Sequence, residues 1–262
     1  MKPLAVIPFV LFNVAHSLGE PPSPIMAVPD QIVLEEDFSS SKPLDKSTWQ
    51  KRQGTRWEIA NGVLKGRQSS PEYQASKKDH FGYEPRLSVP VTPPEFVAKF
   101  QIRFLGGSET SIVPFIEFGH HVCRVRFSED GAALLVDHEI WKVAEAADFR
   151  WESGKWYEIT AEMKDSQFVM QIKDGPTLFA THESFASPPT SGGKGLGVAG
   201  PRRGEIEIDN LTIWSTKPAF QAGWEKRRAS FPAFTPVQVK QPKPPAGNKR
   251  AKRTQSPKSS SK

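Results

Sequence analysis

The sequence predicts an all-β protein: an antiparallel two-sheet jelly-roll sandwich followed by a disordered basic C-terminal tail. Three observations predict it. Segments of strict apolar/polar alternation recur from Ile32 to Trp214. Two of them close on short turn signals. No segment keeps a helical period beyond about two turns, the best being "WKVAEAADF", Trp141 to Phe149.

The chain opens on Lys2 and an apolar run, "PLAVIPFVLFNVA", Pro3 to Ala15. That run has the length of a signal-peptide core and is short for a bilayer span. Ala15 and Ser17 have the small-x-small spacing that a signal peptidase reads. Residues 1–17 are therefore expected to be a signal peptide, and the protein to be exported to the periplasm or the extracellular space. "EPPSPIMAVPD", Glu20 to Asp30, holds four X-Pro pairs, three of them close together, that disfavour helix. Residues 18–30 thus read as a Pro-rich spacer, and 31–216 as the folded domain.

Within that domain "FVAKFQIRF" puts Phe96, Ala98, Phe100, Ile102 and Phe104 on one face and Lys99, Gln101 and Arg103 on the other. "WYEITAEM" turns Tyr157, Ile159, Ala161 and Met163 inward. "QFVMQIKDG" follows after Asp165-Ser166, so the two predict a hairpin. "WEIANGVLKG", Trp57 to Gly66, predicts another hairpin turning at Asn61-Gly62, a pair that tolerates positive φ at both central positions. Further strands are expected over 32–38, 112–119, 121–127, 132–138, 177–182, 195–200 and 205–214.

After Thr216 the character changes. Residues 217–236 read as a short extension around Phe220 and Trp224, and 237–262 as disordered. From Lys217 to Lys262 there are 12 Lys/Arg and one acid, while residues 1–216 carry 23 Lys/Arg against 28 Asp/Glu. An acidic domain is joined to a basic tail. In an exported protein that tail is expected to meet anionic envelope components, and nucleic acid is not an expected partner. The single cysteine, Cys123, alternates with Val125 and Phe127 and reads as a buried small hydrophobe. No H-E-x-x-H, P-loop or G-x-S-x-G is present, which leaves zinc-protease, nucleotide and serine-hydrolase readings without support.

The order of "LEEDFSS", Trp49, "WEIANGVLKG", "GKWYEITAEMKDSQFVMQIKDG", "GLGVAG" and "EIEIDNLTIW" resembles the concanavalin A-like lectin/glucanase superfamily. Within it the chain is most similar to the 3-keto-disaccharide hydrolase and LamG-like domains of exported bacterial proteins. The resemblance covers about Ile32 to Ser215 and implies the sandwich and a carbohydrate ligand. "SIVPFIEFGHHVCRVRF" carries neither the N-S-G nor the G-x-E-x-Q stretch of the hydrolase-like relatives, so the resemblance implies no particular catalytic residue.

Such relatives present ligands on a concave sheet, and parity selects the residues that face it here. Glu117 faces out if Ile116 and Phe118 face in. Arg124 and Arg126 face out beside it, Arg103 is outward on its own strand, and His138, Trp141 and Trp151 lie in adjoining stretches. Arg and carboxylate groups bond sugar hydroxyls, and Trp offers a flat face for C–H stacking. Three functions follow: a glycan-binding or glycan-processing accessory protein, a glycoside hydrolase with Glu117 as its best lone carboxylate, or a structural envelope protein retained by its tail.

The alternating acids Glu205, Glu207 and Asp209 resemble a scrambled E-x-D-x-E glucanase strand, and the expectation is a structural role. His120-His121 reads as a turn or core pair, since neighbours on a strand point to opposite faces. No cofactor is required. A structural Ca²⁺ clamped between the first and last strands by Glu36, Asp37 and Asp209, beside Glu35, is the one metal expectation.

Overall fold

The computed structural model describes residues 21–40, 42–107, 114–186 and 195–239. The expected signal peptide and the tail beyond Val239 lie outside the described residues. In chain order the elements are β1 (Ala27–Glu36), β2 (Gln50–Lys51), β3 (Arg56–Ala60), β4 (Val63–Arg67), α1 (Pro71–Ala75), β5 (Arg86–Val89), β6 (Phe96–Gly106), β7 (Phe115–Phe118), β8 (Cys123–Ser128), β9 (Gly131–Val136) and β10 (Trp141–Ala146). Then come β11 (Tyr157–Lys164), β12 (Gln167–Ile172), β13 (Thr177–Thr181), α2 (Glu183–Ala186), β14 (Leu196–Ala199), β15 (Gly204–Phe220), α3 (Trp224–Arg228) and β16 (Val237–Gln238).

They form an all-β sandwich of two antiparallel sheets. The first runs β13-β12-β11-β6-β15-β4-β3, with β1 also paired to β15. The second runs β16-β10-β9-β8-β7-β14-β5-β2. The alternation that predicts the strands also fills the space between the sheets. Phe118 of the second sheet meets Phe96 and Phe168 of the first, with ring centroids 4.9 and 5.2 Å apart. Trp151 wedges between Phe104 and Phe127 at 4.7 and 4.5 Å. Cys123 is buried in this core, and burial raises its thiol pKa.

Both expected hairpins form. Asn61 and Gly62 take φ of 57° and 75° between β3 and β4, and Asp165 takes 52° between β11 and β12. Three expectations are corrected. "WKVAEAADF" is not helical: its first six residues are β10, because the segment pairs with β9. β15 runs to Phe220, past the expected end at Trp214, and is gripped by β6 on one side and by β4 and β1 on the other. The spacer is not free of the domain either. β1 begins at Ala27, and Met26 is fully buried.

Over β11 and β12 the outer face of the first sheet is sealed by segments from both ends of the described chain. Glu162, on the outward parity of β11, accepts the backbone N–H groups of Ile25, Met26 and Ala27 at 2.9, 2.9 and 2.7 Å. Gln171 donates to Ser23 C=O at 2.9 Å. From the other end, Trp224 packs with Met26 and Val169, while Phe179, Phe220 and Phe231 close over them. Trp224 Nε1 donates to Gln167 Oε1 at 3.2 Å. The extension therefore packs beyond Trp224, as far as Phe231. Burial pushes Glu162 above the usual carboxylate range, against the three amides that stabilise its charge.

Candidate functional site

The outer face of the second sheet is built differently. Register places Gln50, Ser88, Gly197, Glu117, Arg124, Leu135 and Lys142 in one cross-strand row from β2 to β10. The next row holds Arg86, Ala199, Phe115, Arg126 and Ala133. All these positions share the outward parity. Between Gln50 and Glu117 the first row has only a serine and a glycine, so the sheet is low there and a groove opens. A Cβ at position 197 would stand 2.7 Å from Glu117 Cγ, so only glycine lets the Glu117 side chain lie across the sheet.

The groove encloses about 860 Å³. Trp49, Tyr73 and Phe115 give it aromatic surface. Gln50, Gln53, Ser88 and the imidazoles of His80, His120 and His121 give it polar surface. Lys46, Lys51, Arg52 and Arg86 bring positive charge, against Glu117 alone. Gln53 Oε1 and His121 Nδ1 are buried atoms with no hydrogen-bond partner. Buried polar atoms are rarely left so.

Beside the groove lies a charge cluster. Arg124, 6% exposed, donates from Nε to Glu117 Oε2 at 3.2 Å and from Nη1 to Glu139 Oε1. Glu139 Oε2 also lies 3.5 Å from Arg126 Nη1. The Arg124 guanidinium stacks on the Phe115 ring at 3.9 Å, and Arg86 approaches the same ring at 5.3 Å. Glu117 is 7% exposed. Burial alone would raise its pKa, but the adjacent Arg124 charge, with smaller help from His120 and His121, holds it below the usual value. His121 is driven down to about 4, first by burial and then by His120 and Arg124, so at neutral pH it is an uncharged imidazole.

This end of the sheet is also strained. Asp137, His138 and Glu139 have φ of 49°, 54° and 69°, three successive non-glycine residues in the left-handed region. Each such residue costs on the order of 1–3 kcal/mol and persists only where its surroundings hold it. Here the holders are visible. His138 N–H donates to His121 C=O at 2.9 Å. Ser184 Oγ donates to Asp137 Oδ1 at 2.7 Å. The His138 ring stacks on His121 with centroids 5.1 Å apart.

Of the residues picked by parity, the structure brings together Glu117, Arg124, Arg126 and His138. It separates three. Arg103 lies on the first sheet, where it and Lys65 clamp Glu207; Lys65 Nζ is 2.7 Å from that carboxylate. Trp151 is a core residue. Trp141 shares the parity of Val136 and Cys123 and stands 37% exposed on β10 beside the tail strand β16. Glu205 pairs with Arg67 at 3.1 Å, so two of the three alternating acids are held in ion pairs.

At the expected calcium position the Asp37 charge reaches Asp209, whose pKa burial and Asp37 together push up to about 6. Glu36 and Asp37 each accept a local backbone N–H. Among the described residues no group of three His, Cys, Asp or Glu is placed to hold a metal ion.

Comparison with known proteins gives the fold a setting. No family model matches the chain, so the 3-keto-disaccharide hydrolase and LamG-like resemblance stands on its motifs alone. No curated protein matches it either. Solved structures with similar strand arrangements include a cellulose-induced protein, Cip1, at 12% identity and TM-score 0.48, covering 70% of this chain and 97% of that one. A carbohydrate-binding module, CBM66 from Bacillus subtilis, aligns at 12% identity and TM-score 0.45, covering 64% and 96%. SCLam, an endo-β-1,3(4)-glucanase of family GH16, aligns at 9% identity and TM-score 0.47, covering 76% and 96%. The architecture described above rests on this chain's own strand pairing.

Proposed function

We propose that the protein binds carbohydrate in the groove of the second sheet, that it acts outside the cytoplasm, and that its basic tail holds it to anionic envelope components. One observation supports the reading most: aromatic surface from Trp49, Tyr73 and Phe115 shares one groove with the unsatisfied polar atoms of Gln53 and His121. A sugar offers both partners, C–H faces for the rings and hydroxyls for the polar rim.

Binding fits the electrostatics better than cleavage. Glycoside hydrolysis needs one carboxyl that keeps its proton near neutral pH and a second that is ionised. Glu117 is held ionised, and Arg124 engages both Glu117 and Glu139. A hydrolase using that carboxylate pair is the second reading, favoured by the two acids flanking one guanidinium. The test is a glycan array run with soluble products monitored, on the native chain and on Glu117→Gln. Retention without products, weakened by the substitution, is the expected result. Products that vanish in Glu117→Gln would establish the hydrolase instead, and no retention on any glycan would contradict both.

A further inference from the structure

We infer that the groove selects an acidic sugar, one carrying a carboxylate or a sulfate ester; this deepens, and rests on, the carbohydrate reading of the same groove. The single acid of the lining, Glu117, is already answered by Arg124 beside it. Arg86 is answered by Glu84, which is itself buried and grips the guanidinium through Nε and Nη2 at 2.9 and 2.8 Å. That leaves Lys46, Lys51 and Arg52 on the groove wall, none of them in an ion pair with any described residue.

The surplus is local. Residues 1–216 carry 23 Lys/Arg against 28 Asp/Glu, so a cationic groove on this domain is opposite in sign to the average surface around it. Such an inversion raises the local concentration of an anionic ligand and orients its approach.

The cations are also held in place. Gln50 and Lys51 pair with Ser88 and Leu87. Just beyond that ladder, Arg52 N–H donates to Arg86 C=O at 3.0 Å. Thr55 Oγ1 lies 2.7 and 2.9 Å from the carbonyl oxygens of Arg52 and Arg86, fixing the backbone beneath both guanidiniums. Lys51 shares the inward parity of Leu87 and donates Nζ to Trp57 C=O on the first sheet at 3.1 Å, so its ammonium is directed away from the outer face and the charge there falls to Arg52 and Lys46. Arg52 is then the guanidinium of the groove with no ion-pair partner among the described residues, and its planar fork suits a two-oxygen anion. The uncharged polar groups of the lining, Gln53 and His121, are left for hydroxyls.

The test uses the full chain and three probes at 0.15 M salt: a galacturonate oligosaccharide, the same oligosaccharide fully methyl-esterified, and a sulfated galactan oligosaccharide. Esterification removes charge and keeps the sugar. The free acid should bind about tenfold tighter than its ester, the worth of one charge-assisted contact. Arg52→Ala should erase that advantage while leaving the ester's affinity within about twofold. The tail is identical in both proteins, so its contribution cancels. Tighter binding of the sulfated probe would assign the anion as sulfate and equally support the inference. Equal binding of acid and ester would overturn it and leave the carbohydrate reading standing. An acid preference unchanged in Arg52→Ala would overturn it too, by assigning the preference elsewhere. Failure of all three probes to bind would count against the carbohydrate reading itself.

Discussion

The two outer faces of this sandwich start from the same pleat and end differently. On the first sheet the outward polar residues Thr160, Glu162, Gln167 and Gln171 are buried because the terminal segments lie over them and supply their partners, and Lys164 beside them pairs with Glu95. On the second sheet no described segment covers the row from Gln50 to Glu117, and Gln53 Oε1 and His121 Nδ1 have no hydrogen-bond partner among the described residues. A buried polar group satisfied within the chain serves stability. That contrast is why the proposed ligand site is placed on the second sheet.

The comparison can be broken most strongly on the sealed face. Glu162→Ala removes the common acceptor of three buried N–H groups and should cost about 3 kcal/mol, read as a lower midpoint in urea. Trp224→Ala empties the small core that the terminal segments share and should cost a similar amount, about 3 kcal/mol. If either substitution left the midpoint unchanged, the seal would be only loosely packed and the contrast between the faces would fail.

The open face should respond in the other way. Gly197→Ala drives a methyl into Glu117 and should weaken glycan binding about tenfold, at a stability cost of about 1–2 kcal/mol. Comparable losses of binding from Glu162→Ala, under conditions where it is folded, would mean that the ligand site had been placed on the wrong sheet.

A smaller effect concerns Asp209. Its pKa in the folded chain is about 6, against 3.8 for the ordinary side chain. The native state therefore keeps the proton to higher pH than the unfolded chain does. Its stabilising contribution is complete below about pH 4 and is lost as pH rises through 6. The group is partly exposed, so the loss is discounted to about 1 kcal/mol. Asp209→Asn should stabilise the protein by that amount at pH 7.5 and have no effect at pH 4. A calcium ion between Asp37 and Asp209 would invert the result: the substitution would then destabilise, and EDTA would lower the melting temperature of the native chain alone.

What was legible in the sequence was what alternation and turn chemistry encode. Phe96 to Phe104, the Asn61-Gly62 turn and the β11–β12 hairpin are local patterns, and each appears where its residues place it. Parity also put Glu117, Arg124 and Arg126 on one surface. Parity names a face but not a sheet, and that is why Arg103 was grouped with them and found across the sandwich. β10 was hidden because the alanines and spacing of "WKVAEAADF" suit a helix, and only pairing with β9 decides otherwise. β5 is missing from the expected strands because it is short and Pro90 follows it directly. The groove itself was not legible. Its row joins β2, β5, β14 and β7, four strands far apart in the chain, and nothing local links Gln50 or Arg52 to Glu117. Glu139, the second carboxylate on Arg124, was passed over inside a turn. The signal that could have found it is the run Asp137-His138-Glu139, three polar residues in a row at the end of an apolar strand.

The central claim is that the open face of the second sheet, and not the sealed face of the first, receives the ligand. Amide hydrogen exchange with and without a saccharide retained on the array tests it most directly. The account predicts added protection over residues 50–53, 86–88 and 115–121, with residues 25–27, 160–171 and 220–231 unchanged. Protection confined to those sealed segments would contradict it.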